Sequence, residues 1–452
     1  MFSFWKRPSK KPVQVVIVGA GFAGLSAART LEGRLDVELT ILDKNNHHLF
    51  QPLLYQVATG GLNPSEIASP IRSLFRESPR TTVMLGYMTG LDRVKQTVEV
   101  DSGRMTLAYD YLVLAMGGRT SYFGNPQWED HAPGLKSLED ARKIREKVLV
   151  SFERAEMESD PDLRRRLMTV AVIGGGPTGV EMAGALAELR SHVLAREFKN
   201  IRPELARVIL VEAGPRLLTA FPERASETAR GELERLGVEV LLGEKVQDIT
   251  EGRVKTQRRT ILADNVVWAA GVQGHALASR IGCTLDQSCR VPITPELHLQ
   301  AQPHVYCLGD MAWLRGQDGK PLPGVAAVAI QQGRHAARNI ARHIDGKPLT
   351  RFRYFDKGSM ATIGRKSAVA VLPGGLILSG WAAWLGWLAV HLAFVVDLQN
   401  RIMVILRWGW AYLGWKWNVR LITESDSGEP RRRLLEGGPN DSDYAREPAV
   451  GQ

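Results

Sequence analysis

Two glycine loops stand where this chain could hold phosphate: Gly19-Ala20-Gly21-Phe22-Ala23-Gly24 and Gly174-Gly175-Gly176-Pro177-Thr178-Gly179. Glycines at these intervals let the backbone turn sharply and approach a pyrophosphate, whose charge then rests on the N-terminus of the following helix. Beyond each loop an apolar run ends in an acid: Val37 to Leu42 ends in Asp43, and Arg207 to Val211 ends in Glu212. A carboxylate at that point accepts hydrogen bonds from the ribose hydroxyls of an adenosine; a solvated strand end is the plainer reading of each acid. One such match is weak, because glycine-rich turns are common. The same pattern twice implies two dinucleotides, and two dinucleotides on one chain imply electron transfer between them. Glu212 would repel a 2′-phosphate, which favours NADH over NADPH, although Arg216 is close enough to soften that preference.

The elements that must position these loops are legible as well. Val15-Val16-Ile17-Val18 and Val170-Ala171-Val172-Ile173 are β-branched runs just before the loops, and alanine-rich helical stretches follow. A polar stretch around Arg190 to Glu204 is inserted before the second acid-bearing strand. The duplication continues in Tyr111 to Gly118, a buried strand entering a glycine turn, and in its counterpart Val266 to Gly271. Val305 to Asp310 is a strand that delivers an acid at its C-terminal edge, where ligands of open α/β sheets bind. At 452 residues the chain exceeds one comfortable core. The expected fold class is α/β, with two Rossmann-like dinucleotide-binding domains and a C-terminal amphipathic helical membrane-anchoring region. The Gly309-Asp310 turn belongs with the first unit, so the second is inserted into it. The expected domains are 13–135 with 282–350, then 136–281, then 351–423, with a disordered tail at 424–452.

From Ser367 to Val396 there is no charged side chain, and seven of the 11 tryptophans fall between residues 381 and 417. Trp381, Trp384 and Trp387, with Leu388 and His391, recur at helical spacing. Arg401, Arg407, Trp408, Trp410, Tyr412, Trp415, Lys416, Trp417 and Arg420 follow. Indole favours the headgroup level of a bilayer, and Arg and Lys extend toward lipid phosphates. A spanning helix is tenable on length, since about 20 apolar residues suffice. Gly374, Gly375, Gly380 and Gly386 interrupt the run, however, and we expect helices lying in the interface. A buried helix pair or a homodimer interface is the alternative. The formal charge of +10 fits an anionic lipid surface, and no recognition module for nucleic acid is present. The N-terminal arm, with Phe2, Phe4, Trp5, Lys6, Arg7, Lys10 and Lys11, could touch the same surface. It is too short for a secretory signal, so the globular part is expected to face the cytoplasm.

With these pieces in place the chain resembles the type II NADH dehydrogenases, non-pumping NADH:quinone oxidoreductases among the two-dinucleotide flavoproteins. The resemblance covers roughly 13–420 and is carried by His47 to Gly60, by Val180-Glu181 after the second loop, by Trp268 to Gly271, by Phe355 to Ser359 and by the tryptophan-rich end. It implies that FAD is held by Gly19, Ala20, Gly21, Phe22, Ala23, Gly24, Asp43, Lys44, Pro52, Leu53, Ala115, Gly117, Gly309 and Asp310. It implies that NADH is held by Gly174, Gly175, Gly176, Pro177, Thr178, Gly179, Glu212, Ala270 and Gly271. Glu181 is implied at the flavin–nicotinamide junction; a charge–dipole contact at its helix start is the simpler role. The family's Ala-Gln-x-x-x-Gln motif at the quinone side reads here as Ala326-Ala327-Val328-Ala329-Ile330-Gln331, so Gln331 is kept and Ala327 replaces the first amide. Gln331 could instead cap or solvate its helix. Lys357 resembles a lysine near the flavin and quinone pocket, with a salt bridge to Asp356 as the alternative. Glu181, Gln331 and Lys357 are therefore the candidate catalytic residues. The implied partners are NADH and a membrane quinone, and the implied location is the cytoplasmic face of the inner membrane.

Cysteine separates subfamilies. Disulfide-reducing relatives carry a close cysteine pair after the first loop, and residues 25–70 contain none. Cys283, Cys289 and Cys307 follow neither a redox nor a metal spacing. The hydride is expected to stop at the flavin, with Cys307 a packing residue and no metal site. His47 and His48 are adjacent and read as loop packing near the flavin.

Overall fold

The computed structural model describes residues 11–194, 198–202, 205–414 and 422. The N-terminal arm through Lys10, Glu204, Trp415, Lys416, Trp417, Arg420 and the tail lie outside the described residues, as does the side chain of Tyr412. Five helices shape the site: α1 (Phe22–Leu31), α2 (Pro177–Glu188), α3 (Ala326–Ile344), α4 (Gly380–Phe394) and α5 (Leu398–Gly414).

The first unit is built on a six-stranded sheet with the spatial order His298–Leu299, Gln302–Cys307, Tyr111–Leu114, Val13–Val18, Val37–Asp43, Thr81–Leu85. All neighbouring pairs are parallel except the first. Parallel sheets are covered on both faces and therefore read as unbroken apolar runs. Val15 to Val18 obey this, none being more than 3% exposed. The second unit is a four-stranded parallel sheet in the order Val238–Leu242, Arg207–Glu212, Thr169–Ile173, Asn265–Trp268. In both units the loop-bearing strand is central and the acid-bearing strand lies beside it, so acid and loop meet at one carboxyl edge.

The chain crosses between units on the strands Gly118–Thr120 and Val272–Gly274, which pair antiparallel. Packing moves the division of units toward these strands and away from 135 and 281. Tyr122, Trp128 and Ala132 belong to a core shared with Trp268, while Leu277, Ala278 and Ile281 pack with Val16 and Val18. The α3 helix lies on α1 so closely that a Cβ at Gly333 would sit 2.2 Å from the Ala23 carbonyl oxygen.

The C-terminal part opens on a three-stranded antiparallel sheet, Ser359–Thr362, Ala368–Val371 and Ile377–Ser379. Half of the uncharged segment expected as helix is thus β-hairpin. Gly374 (φ +89°) and Gly375 (φ +87°) make its turn, a left-handed conformation that side chains rarely adopt. Helices α4 and α5 follow. Among the described residues no helix is long and apolar enough to cross a membrane. The tryptophan stripe of α4 divides: Trp387 is 1% exposed and Trp384, Leu388 and His391 are half-buried, whereas Trp381 at the helix start is 66% exposed. Exposed apolar residues flank that stripe, Leu385, Val390 and Phe394 on α4, and Ile402, Met403, Ile405, Leu406 and Trp410 continue on α5. Arg401 and Arg407 are also turned inward. Arg401 donates to the carbonyls of Val395 (2.6 Å) and Ala393 (3.1 Å), and Arg407 pairs with Glu66 at 2.5 Å.

Candidate functional site

The two loops have one geometry. Gly19 (φ +97°) and Gly174 (φ +113°) take conformations that favour glycine, and a Cβ on Gly24 or Gly179 would lie 1.8 Å from the carbonyl oxygen of Gly19 or Gly174. Asp43 Oδ2 accepts the Ala20 N–H at 2.6 Å, and Glu212 Oε2 accepts the Gly175 N–H at 2.5 Å. The strand-end acids therefore pin the loops. Gly21 and Gly176 begin α1 and α2 without a side-chain cap, leaving first-turn N–H groups for a phosphate. Arg216 donates to Phe221 O (2.7 Å), Thr219 O (2.8 Å) and Ser226 Oγ (2.7 Å), so it does not reach toward a 2′-phosphate.

Between the units lies one cavity of about 2120 Å³. Its wall takes in Gly19, Ala20, Gly21, Phe22, Ala23, Asp43, Lys44, Pro52, Ala115, Gly117, Gly309 and Asp310 from the first unit, and Pro177, Thr178, Glu181 and Gly271 from the second. Gly24, Gly174, Gly175, Gly176, Gly179, Glu212 and Ala270 support the wall from behind or beside it. The expectation for Leu53 is corrected: it is fully buried in the core, because its turn packs against α2 and the long helix Leu138–Met157. None of the three cysteines lines the cavity, and Cys307 is fully buried in its strand. The uncapped loops, the acids and this cavity fit a resident FAD on the first loop with a second dinucleotide beside it.

Several contributors escaped sequence reasoning. Gln332, 2% exposed, accepts the Gly309 N–H at 2.8 Å and so fixes the turn carrying Asp310. Lys136 Nζ lies 3.4 Å from Asp310 Oδ2 on the cavity wall. His48 holds the Ala20 carbonyl at 2.8 Å through Nδ1, the packing role expected for it. From the first loop an aromatic column runs to the C-terminal helices. Phe22 meets Phe50 (5.8 Å), Phe50 meets His391 (6.0 Å), His391 stacks on Trp387 (4.1 Å), and Trp387 meets Trp408 (5.7 Å). His391 lines the large cavity, and burial pulls its pKa down to about 4, so the ring is neutral at ordinary pH. Its Nδ1 lies 2.7 Å from the Trp387 carbonyl, which can only accept, so Nδ1 carries the proton and Nε2 is the acceptor.

The three candidate catalytic residues separate. Glu181 sits on the wall between the large cavity and a small pocket. Burial pushes its carboxyl up to about 8; the Thr362 N–H, 3.3 Å away, opposes this only in part, as does the Trp387 indole, which faces Glu181 outside hydrogen-bond geometry. Gln331 is corrected. Its amide donates to Phe355 O (2.9 Å) and accepts from Phe355 N–H (3.0 Å), and its side chain does not line the cavity. Gln331 shares the helix face of Ala327, which lines the cavity, and it is the double hydrogen bond to the Phe355 backbone that takes its side chain off the wall. Lys357 is exposed at the rim with Nζ 6.0 Å from the Phe394 ring centre, while Asp356 Oδ1 accepts the Gly358 N–H at 2.9 Å.

Comparison with known proteins agrees with this arrangement. Residues 13–333 match the family model described as pyridine nucleotide-disulphide oxidoreductase, and residues 357–414 match the NDH2 C-terminal domain. The chain is 40% identical over 439 residues to the type II NADH:quinone oxidoreductase Ndh of Mycobacterium tuberculosis, covering 93% of each protein. It is 31% identical to the demethylphylloquinone reductase NdbB of a Synechocystis strain, covering 87% of this chain and 95% of that one. The solved structure of NDH2 from Plasmodium falciparum in complex with NADH superposes with a TM-score of 0.83 at 18% identity, over 92% of this chain and all of that one, and shows the shared fold. With two phosphate cradles on one cavity and no cysteine along its wall, the chain belongs to the type II NADH:quinone oxidoreductases.

Proposed function

We propose that the cavity works as a two-ended reaction chamber, with NADH entering over the second loop and quinone entering beside α4. The protein oxidises NADH through FAD and reduces a quinone without pumping protons. FAD, when bound, accepts a hydride from the nicotinamide and passes the electron pair onward. The protein's residues do the positioning. Gly19, Gly21 and Asp43 hold the adenosine and pyrophosphate of FAD. Gln332 sets Gly309 so that Asp310 meets the ribityl chain, and Lys136 offsets the Asp310 charge. Gly174, Gly176 and Glu212 hold NADH with its nicotinamide toward Thr178 and Glu181.

One observation supports the quinone end above others: the same cavity that touches Gly19 and Thr178 also touches Val390, His391 and Phe394 of α4. An apolar acceptor arriving along the exposed apolar face of α4 and α5 would meet that mouth first. His391 Nε2 faces it as a neutral acceptor for a quinol hydroxyl. Gln331 and Lys357 act indirectly here, Gln331 by tying Phe355 to α3 and Lys357 at the rim. The same face, on a chain of charge +10, favours docking to an anionic lipid surface at the cytoplasmic side of the membrane over pairing with a second copy.

The test is direct. Flavin-loaded protein should reduce a soluble quinone analogue with NADH and should prefer NADH to NADPH. Anionic vesicles should bind it, and a charge introduced at Ile402 or Leu406 should release it. Flavin reduction without quinone turnover would reject the quinone end.

A further inference from the structure

The α2 helix carries a second buried acid. Glu188 lies two turns beyond Glu181, a rise of about 10 Å along one face of the helix. Both glutamates line a pocket of about 50 Å³, whose other lining residues include Gln56, Thr362, Arg365 and Trp387. A pocket holds a water once about 10–15 Å³ is free and polar partners are present, so this one has room for more than one. Glu181 and Tyr55 are common to the pocket and the reaction cavity, and Glu181 is the carboxyl of the two. Glu188 keeps 7% of its surface exposed. Nothing in hydride transfer uses Glu188, and burying a carboxyl without a role is costly.

We propose that Glu188 reloads Glu181 with protons through the water-sized pocket between them, on the path that supplies quinone reduction. The proposal rests on the NADH-to-quinone reading. Making a quinol takes two electrons and two protons, and hydride accounts for two electrons and one proton. One further proton must enter from solvent in each turnover. In the relay the Glu188 O–H bond breaks as a bond forms to the nearest water. A water O–H then breaks as one forms on Glu181, which releases its own proton into the reaction cavity. Glu188 regains a proton from outside, so neither carboxyl is changed over the cycle.

The surroundings suit both tasks. Burial pushes Glu188 up to about 7 and Glu181 to about 8, so each can hold and give up a proton near neutrality. The charge that reaches Glu188 is that of Arg365, whose backbone N–H also donates to Glu188 Oε1 at 2.6 Å. No charged group reaches Glu181; its neighbours are the Thr362 amide and the Trp387 indole. The neighbouring Arg190 is committed to the carbonyls of Ala206, Leu236 and Gly237. From α4, His391 is neutral.

The experiment compares half-reactions of flavin-loaded wild type, Glu188→Gln and Glu188→Asp across pH. The glutamine keeps an oxygen for the Arg365 N–H and removes the proton. We expect the NADH-to-flavin step to stay within about twofold in Glu188→Gln. The quinone step should slow at least about tenfold at pH 8, below the full range for a lost acid–base group, and less at pH 6. Glu188→Asp should restore part of the rate. Equal slowing of both steps, or a pH profile unmoved from wild type, overturns the relay, since a merely structural Glu188 would give either. If Glu188→Gln does not fold, the relay stands or falls on whether Glu188→Asp shifts the pH profile of the quinone step. Failure of wild type itself to reduce quinone would overturn the function and is read separately.

Discussion

The two phosphate loops are near copies in backbone and differ in what covers them. In the first, Ala23 is buried beneath α3, and Gln332 and His48 tie the surrounding turns down. Its counterpart in the second, Thr178, is exposed. The lesson is that one cradle can serve a resident group or a transient one, depending on which later elements close over it. In the proposed function the closed first loop would retain FAD, and the open second loop would let NADH arrive and NAD⁺ leave. The helices behind the loops diverge too. The α1 helix presents alanine and glycine to α3, whereas α2 presents two buried glutamates to the C-terminal sheet.

Breaking the loops one at a time should have the largest effect. With a Cβ 1.8 Å from a carbonyl oxygen at either site, Gly24→Val and Gly179→Val each introduce overpacking of about 3 kcal/mol. Gly24→Val should purify without flavin, while Gly179→Val should keep its flavin and lose NADH saturation. Loss of flavin in both would erase the distinction between resident and transient sites. Next in size is Glu212→Ala, which removes the carboxylate that accepts from Gly175 and Gly214. Losing charged hydrogen bonds worth roughly 1.5–3 kcal/mol each should raise the KM for NADH at least about tenfold and narrow the preference over NADPH. An unchanged nucleotide ratio would show that something other than Glu212 discriminates.

A smaller effect separates α2 from α1 by pH. The native state holds the Glu181 proton up to about 8, against an ordinary carboxyl value of 4.5. Stability from this group is therefore full below 4.5 and declines as pH rises toward 8. Glu181→Gln should raise Tm over wild type by several degrees at pH 8 and hardly at all near pH 4.5, read by thermal scans at each pH. A constant difference would mean that the carboxyl titrates normally. The least change is expected from Lys357→Ala: an exposed cation–π contact contributes about 0.5–1 kcal/mol, so kcat should move less than about threefold. A much larger fall in quinone turnover would put Lys357 in the chemistry after all.

Loops, their acids and the flanking strands could be read locally, because steep turns need glycine and buried parallel strands need β-branched runs. Glu181 stood out from its place at a helix start, and its burial on the cavity wall came only with the fold. Gln331 misled because a motif names a residue without its partners: one position along α3, Gln332 has the buried role, while Gln331 ties down Phe355. The tryptophan stripe misled for a related reason. Periodicity shows that Trp384, Trp387 and His391 share a face, but either lipid or a β-sheet could receive that face, and here the sheet Ser359–Ser379 does.

Composition and spacing were enough to point to two dinucleotides, because each loop, its strand and its acid carry signals within a few neighbouring residues. The order of the two came only from the family resemblance. The closure of one loop, the meeting of Phe50 with His391, and the pocket joining Glu181 to Glu188 arose only on folding. Each depends on partners far apart along the chain (the Arg365–Glu188 bond spans 177 positions), and contact over such separations is set by how whole sheets and helices pack.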